Sequence, residues 1–374
     1  MQARTKPKHG FKDLLLVYIL WVAAWSPVSS MLYVYLFNSG MPIADIFLSS
    51  AFVYLASLLT IPLFRGFTVK NFMIAGFVIS ALSILSLFLL PMPYAGFVHL
   101  FLSGTTCFIF WVPFNTMYFE HRKGNNAQLG ALYYAISPIT SLLLPFLSGW
   151  FAQSFGFPVL FALSALVFLA AAALAFPKIE NRRYPCSYLG SLKAISGLKT
   201  MFFLEGFAGM VMVSVTLPVM LLLFTDKPFE IGAFNSLLTI FAVAAMFVTA
   251  KMSDLAEKRR GFILPVVLMF ALSAVLASLA DGIMLFFLAS GLVGLFSRIF
   301  FPLPFALAVD NSKDLASTMV GREIMLNLGR LSGILAAHLI IVNYSIQAAL
   351  LFQGAALLLY IPIFENRKHK LERH

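Results

Sequence analysis

An arginine lies in the middle of a long apolar stretch of the sequence. The stretch LVGLFSRIFFPLPFALAVDN runs from Leu292 to Asn311, and Arg298 is its one basic residue. An apolar run of this length is typical of a helix that crosses a lipid bilayer. A guanidinium group keeps its proton at such a site, and placing it near the bilayer centre costs at least ~2.5 kcal/mol. Arg298 is therefore expected to face protein or a water-filled cavity, where it could bind a carboxylate or a phosphate.

A second arginine, Arg330, lies about 12 residues into another apolar run and so also near the bilayer centre. In the stretch GREIMLNLGR, Asn327 and Arg330 follow Glu323 at four and seven residues, which places all three on one helix face. Asn327 and Arg330 are expected to contact substrate. Glu323 is the natural structural partner of Arg330, although the axial gap of about 10 Å is long for a direct pair. Arg298 has no comparable acid on its own helix. Two central cations without full compensation favour a substrate with an anionic group, and the alternative is that structural carboxylates neutralise both.

Other polar and aromatic side chains could contribute to the same site. Glu205 and Glu323 each lie about one turn inside an apolar run, and we expect them to act in gating or coupling. Trp111 and Asn115 are four residues apart and offer a stacking surface and an amide. Trp25, in the first run, could also contact substrate. The alternative for these aromatic residues is packing or an interfacial position in the membrane.

The composition places all of these residues in a membrane protein. Hydrophobic residues make up 61% of the chain, charged residues 11%, and the mean hydropathy is +0.92. A water-soluble globule would have too little polar surface with this composition. Runs of about 20 apolar residues predict an all-α polytopic membrane protein with twelve transmembrane helices. The runs cover residues 14–37, 43–64, 72–90, 96–119, 129–151, 158–176, 201–224, 231–250, 262–279, 283–309, 319–342 and 346–364.

The basic residues are concentrated on one side of the predicted membrane. If the two termini and every second connection share a side, that side collects 23 of the 26 Lys and Arg residues, with Arg322 in the first turn of the run 319–342 counted among them. The opposite side holds Lys227 alone. This distribution predicts cytoplasmic termini in a plasma (inner) membrane. The net charge of +11 is therefore read as a sign of membrane orientation and not of nucleic-acid binding.

The two halves of the chain carry matching landmarks. Shifting the second half back by about 190 residues superimposes Pro27 on Pro218 and Gly130 on Gly321, which indicates an internal repeat. The longest hydrophilic connection separates the twelve runs into two sets of six. The predicted parts are an N-terminal six-helix bundle (1–176), a cytoplasmic linker (177–200) and a C-terminal six-helix bundle (201–374).

Two six-helix halves joined by a basic loop resemble the major facilitator superfamily of transporters. That family carries an Asp and a following basic cluster at the cytoplasmic gate, in the loop after the second span of each half. The second-half loop AKMSDLAEKRRG offers Asp254 with Arg259 and Arg260, whereas the first-half loop FRGFTVKNF has no acid. The resemblance implies that these three residues help to close the cytoplasmic side. It also implies a central cavity lined by the first and fourth helices of each half, toward which Arg298 and Arg330 would point.

Motifs of soluble enzymes are absent from the sequence. There is no Walker loop, no HExxH metal site and no GxSxG nucleophile elbow, so we expect neither an enzyme nor a metal or other cofactor. A monomer is expected, with the lipid bilayer, a small-molecule substrate and protons as its partners.

Three functions remain open. The first is a secondary transporter of a small solute, in which the two halves rock about the substrate and protons supply the coupling. The second is a lipid or lysolipid flippase of the same fold, whose arginines draw the headgroup inward. The third is a membrane receptor that transports nothing. A flippase should show a lateral opening lined by apolar residues, and a receptor should carry a soluble domain or a long outer loop.

Overall fold

The protein forms a bundle of membrane-spanning helices. The computed structural model describes residues 10–64, 68–120, 126–184, 187–253, 259–310 and 312–363. Within these ranges eleven helices are long and apolar enough to cross a membrane, and one shorter apolar helix completes a set of twelve. The predicted all-α fold with twelve spans is confirmed.

The spans are numbered α1 to α12. Those of the N-terminal half are α1 (Phe11–Asn38), α2 (Ile43–Thr60), α3 (Val69–Leu89), α4 (Tyr94–Glu120), α5 (Leu132–Phe155) and α6 (Phe157–Lys178). Those of the C-terminal half are α7 (Lys199–Leu221), α8 (Pro228–Ser253), α9 (Arg259–Ser278), α10 (Ile283–Asp310), α11 (Leu315–Asn343) and α12 (Ile346–Ile363). A short helix, Tyr188–Ala194, lies in the connection between α6 and α7.

Some spans change their winding near the middle of the bundle. In α10 a regular helix ends at Phe300 and a second one starts at Pro302, where a proline fits because the first residues of a helix need no N–H donor. In α7 the segments Glu205–Met210 and Met212–Thr216 wind as π-helix. Such wide turns occur frequently at functional sites.

The same packing pattern occurs in both halves. In the N-terminal half α3 packs on α4 and α6, and in the C-terminal half the corresponding helix α9 packs on α10 and α12. The halves meet where α2 contacts α11 and α5 contacts α8. Because α2 corresponds to α8 and α5 to α11, the interface repeats itself about a two-fold axis. This arrangement agrees with the internal repeat predicted from the sequence.

Glycines bring the two halves into backbone contact where α5 crosses α8. A Cβ atom added to Gly149 would lie 2.4 Å from the carbonyl oxygen of Pro228, and one added to Gly232 would lie 2.3 Å from that of Pro145. Small residues of this kind allow close helix packing within a membrane. The two halves are therefore in close contact where α5 crosses α8.

The connection between the halves lies against the end of the bundle at which α1 begins, here called the basic end. Arg182 forms an ion pair with Glu120 at the end of α4. The hydroxyl of Tyr184 is hydrogen-bonded to Thr116 of α4 at 2.6 Å and donates to the carbonyl oxygen of Ala316 of α11 at 3.2 Å. The connection thus contacts both halves of the bundle.

Candidate functional site

A cavity of about 620 Å³ lies between the two halves. Its wall is formed by α1, α4 and α5 from the N-terminal half and by α7, α8 and α10 from the C-terminal half. Arg298 is the one charged side chain among the described residues of this wall. Cavities of roughly 300 to 1,000 Å³ are typical of small-molecule sites. The cavity can therefore enclose a small organic solute beside a positive charge.

One face of α10 carries Arg298 into the cavity. Ser290, Gly294, Ser297 and Arg298 all line it, and their spacing of four, seven and eight residues places them on the same side of the helix. Among the ion pairs of the described residues, none involves Arg298. A cation without a counter-charge in a partly dry cavity attracts an anion far more strongly than it would in water.

Aromatic side chains surround the part of the cavity near Arg298. Trp25 and Trp111 lie in the wall, together with Tyr18 and Tyr133. The ring of Tyr18 packs edge-on against Trp111, with centroids 5.4 Å apart, and lies at the same distance from Tyr133. These contacts hold Trp111 in place at the surface of the cavity. A role of Trp25 and Trp111 in substrate binding stays a prediction.

Asn115 lies outside the cavity wall. It follows Trp111 by one turn of α4, is buried, and its Oδ1 atom has no hydrogen-bond partner among the described residues. The structure therefore separates two residues that the sequence pattern grouped together. Any contact of Asn115 with substrate would require a movement of α4.

A second group of charged residues, here called the charge cluster, joins α7 to α11. Arg322 donates from Nη2 to Glu205 Oε1 at 3.0 Å and from Nη1 to Glu323 Oε1 at 2.9 Å. Arg330 lies with Nη1 at 3.7 Å from Glu323 Oε2 and donates to Asn327 Oδ1 at 2.8 Å. Two acids and two bases give the charge cluster no net charge.

The charge cluster corrects the expectation for Arg330. Arg330 does not line the cavity, and the carboxylate of Glu323 compensates it, so the expectation of two uncompensated central cations is wrong. The pair with Glu323 that the spacing indicated is present. Its axial gap is bridged because a long side chain on a helix points back toward the N-terminus, which brings the guanidinium of Arg330 toward Glu323.

Arg322 is the functional candidate that sequence reasoning missed. The charge distribution counted it with the basic residues of the connection before the eleventh predicted span, although it is the fourth residue of that span, and it is only 4% exposed within α11. Its guanidinium lies 4.6 Å from the ring centre of Phe305. The spacing of two glycines could have indicated that Arg322 lies on a packed helix face, since Gly329 and Gly333 follow it at seven and eleven residues on the same face. Those glycines touch the backbone of α7, which is the helix that carries Glu205.

Glu205 is the most deeply buried acid of the charge cluster. Its exposure is 0%, and it lies at the start of the π-helical part of α7. Arg322 contacts Oε1, whereas Oε2 has no hydrogen-bond partner among the residues that the structure describes. One oxygen of this carboxyl group is therefore available to a proton or a water molecule.

The expected gate residues of the loop after α8 cannot be placed. Asp254 lies outside the described residues. Arg259 and Arg260 start α9, but their side chains are also outside the described part of the chain. Their gating role stays a prediction.

Four rings, here called the aromatic plug, separate the cavity from the basic end. Phe305 of α10 packs against Phe119 at 4.8 Å, Tyr133 at 5.9 Å and Tyr134 at 6.0 Å between ring centres. All three partners belong to the N-terminal half. The plug therefore closes the two halves on each other at this level.

Hydrogen bonds and one ring pair join the halves toward the other end. Asn38 donates from Nδ2 to the carbonyl oxygen of Asp226 at 3.1 Å, and the hydroxyl of Tyr33 donates to the carbonyl oxygen of Ser214 at 3.3 Å. The rings of Phe146 and Phe229 lie 5.2 Å apart between their centres. The halves are therefore in contact on both sides of the cavity.

The chain resembles known proteins in the sequence of its C-terminal half and in its fold. Residues 198–373 match the model of the Major Facilitator Superfamily. No curated protein matches the chain in sequence.

Solved structures of transporters superimpose on almost the whole chain. The human organic anion transporter MFSD10 (TETRAN) is 12% identical, with a TM-score of 0.71 over 96% of this chain and 100% of that one. A POT family transporter in complex with a thioalcohol conjugated peptide is 15% identical, with a TM-score of 0.71 over 96% of both chains. The nucleoside transporter NupG is 12% identical, with a TM-score of 0.68 over 95% and 98%. At these identities the likeness shows the fold.

The different surroundings of the two arginines predict different effects of their removal. Arg322→Ala should lower the free energy of unfolding by about 3 to 5 kcal/mol, because it leaves Glu205 buried without its counter-charge. Arg298→Ala is the matched control and should change stability little, since it breaks no ion pair of the described residues. Titration of both purified variants with a denaturing detergent measures the difference. Equal losses of stability would contradict this assignment.

Proposed function

We propose that this chain is a secondary transporter of the major facilitator superfamily, and that it carries a small anionic solute across the membrane by alternating access. The observation that carries the proposal is the position of Arg298. It projects from α10 into the cavity between the halves, and it takes part in no ion pair of the described residues. A bound anion would supply the missing charge.

The rest of the cavity wall supports an anionic solute over a cationic one. None of its described residues is an Asp or a Glu, so an ammonium group would find no counter-charge there and would be repelled by Arg298. Trp25 and Trp111 offer apolar faces to the body of the solute. The similar structures have been solved for an organic anion transporter, for a POT family transporter with a peptide conjugate and for a nucleoside transporter. The organic anion transporter agrees with the negative charge proposed for the substrate.

The repeated interface supports a rocking movement of the halves. We assign residues 1–176 and 201–374 to the two moving bundles and residues 177–200 to the linker. Opening at one end would break the hydrogen bonds near Asn38 and Tyr33, and opening at the other would separate Phe305 from the rings of α4 and α5. A solute bound at Arg298 lies between these two closures.

The charge cluster supports proton coupling. Ionisable groups buried in membrane spans commonly form proton pathways, and Glu205 has one carboxyl oxygen without a partner. If Glu205 takes up a proton, Arg322 keeps its bond to Glu323 but loses its charged bond to α7. Because Arg322 also lies over Phe305, this change reaches the aromatic plug. Asn327 and Arg330 complete the cluster and act in coupling instead of direct contact with the solute.

The proposed orientation places the basic end in the cytoplasm. Lysine and arginine are retained on the inner side of a plasma membrane, and the connection that contains Arg182 lies at the basic end. Both termini would then be cytoplasmic. The cavity is formed within one chain, and a monomer is sufficient for the mechanism.

Substitution of Arg298 should remove anion binding. Arg298→Lys should weaken binding about tenfold or more despite its charge, because lysine lacks the planar donor pair of a guanidinium group, and Arg298→Ala should weaken it further. A thermal-shift screen with anionic, neutral and cationic solutes detects ligands that stabilise the folded protein. Solutes that stabilise wild-type and Arg298→Ala protein equally would contradict the anionic site.

Neutralisation of Glu205 should uncouple transport from protons. Glu205→Gln keeps the shape of the side chain and removes its titration, so solute exchange across vesicles should persist while accumulation driven by a pH gradient is lost. Asp281→Asn, in the exposed connection before α10, is the control and should leave both unchanged. Accumulation that remains proton-driven in Glu205→Gln vesicles would show that Glu205 is structural.

Cysteine labelling from outside the cell tests the orientation. In a background without Cys107 and Cys186, Asp281→Cys should react with a membrane-impermeant maleimide, whereas Ser187→Cys should react only after permeabilisation. Both positions are exposed, so the difference reports the side of the membrane. Labelling of Ser187→Cys in intact cells would reverse the proposed orientation.

A further inference from the structure

We propose that the substrate is a hydroxylated organic anion, in which one carboxylate or phosphate is attached to a body that carries several hydroxyl groups, as in a sugar acid or a sugar phosphate. This inference rests on the proposed transport function and names its substrate class. It follows from the direction of the hydrogen bonds in the cavity wall.

The hydroxyl groups of the wall already donate their protons to the protein. Each of six lining residues donates to the carbonyl oxygen three or four residues earlier in its own helix, at distances from 2.6 to 3.2 Å. This bonding is a common alternative for Ser and Thr inside helices. The six residues are Ser29, Ser30, Ser141, Ser214, Thr239 and Ser297.

A hydroxyl group that has donated its proton can only accept from a ligand. Each Ser or Thr has one proton and two lone pairs, so an oxygen that donates to its own helix is left as an acceptor. Ser297 is 0% exposed, so five of the six face the cavity, and one of these, Ser214, already accepts from Tyr54 at 3.3 Å. Asn235 adds another acceptor in its Oδ1, to which no described residue donates; one hydrogen of its Nδ2 bonds the carbonyl oxygen of Ser30 at 3.4 Å, and the other remains a donor. The wall therefore matches a ligand that donates hydrogen bonds.

The position of Arg298 orients such a ligand. Ser290 and Ser297 lie on the same face of α10, but they are only 1% and 0% exposed, so they form the base of the wall and present no acceptor to a ligand. The anionic group would bind Arg298, while the hydroxyl-bearing body extends toward the accessible acceptors of α1, α5 and α8.

The same acceptors count against an apolar carboxylate. The faces of Trp25 and Trp111 would accept such a body, but its binding would strip water from the acceptors and leave them unpaired. A site with polar groups placed for a hydroxyl group rejects an analogue that lacks it much more strongly than an apolar pocket rejects an extra methylene. A neutral sugar, in turn, leaves Arg298 without a counter-charge.

Four probes separate these classes by isothermal titration of the purified protein. Glucuronate and glucose 6-phosphate carry hydroxyls and a negative charge, cyclohexanecarboxylate carries the charge alone, and glucose carries the hydroxyls alone. At least one of the first two should bind about tenfold or more tightly than each of the last two, and the better of the pair identifies a carboxylate or a phosphate. Cyclohexanecarboxylate binding as tightly as both hydroxylated anions overturns the inference, as does failure of both hydroxylated anions to bind.

The same titrations test the proposed anion site separately from the hydroxylated substrate. Tight binding of cyclohexanecarboxylate that depends on Arg298 would leave an anion transporter in place and remove only the hydroxylated substrate. Binding of the four probes that is unchanged in Arg298→Ala would instead contradict the anion site itself.

Two conservative substitutions test the acceptors directly. Ser141→Ala and Thr239→Val remove one accessible acceptor each with little change of volume, and each should weaken the tighter hydroxylated anion about twofold to tenfold without affecting cyclohexanecarboxylate. Ser273→Ala is the matched control, because Ser273 makes the same bond to its own helix at 2.6 Å but lies outside the cavity wall. Unchanged affinity for the hydroxylated anion in both cavity variants overturns the inference.

Discussion

A guanidinium group buried in a membrane needs a negative partner, and this protein meets that requirement in two ways. Arg322 is held by Glu205 and Glu323 within the C-terminal half, so the protein itself compensates its charge. Arg298 is left to the cavity between the halves. The first arrangement stabilises a packed interface between two helices, and the second creates a site that a solute can complete.

The ion-paired Arg322 and the cavity-lining Arg298 are linked through α10. Its backbone is interrupted between Phe300 and Pro302, so Arg298 lies on one segment and Phe305 on the other. Phe305 contacts the N-terminal half on one side and the guanidinium of Arg322 on the other. Binding at the cavity, closure of the aromatic plug and the charge state of the cluster thus act on neighbouring parts of one helix. This proximity gives a physical route for coupling solute to protons.

Much of the fold could be predicted because bilayer thickness fixes helix length. The twelve apolar runs lie within a few residues of the observed spans, and the depth of Arg298 followed from its place in one of them. The rotation of a helix about its axis is not set by the length of a run, so the direction of Arg330 was not predictable. Arg322 was missed because its partner Glu205 is 117 residues away in the chain and their pairing depends on how α7 meets α11.

The most direct measurement is an experimental structure of the protein with a hydroxylated carboxylate, such as glucuronate, in the cavity. We predict that the carboxylate accepts hydrogen bonds from both Nη atoms of Arg298 and that hydroxyl groups of the ligand donate to Ser141 and Thr239. A ligand whose carboxylate binds elsewhere, or an Arg298 side chain paired with a carboxylate of the protein, would contradict the account.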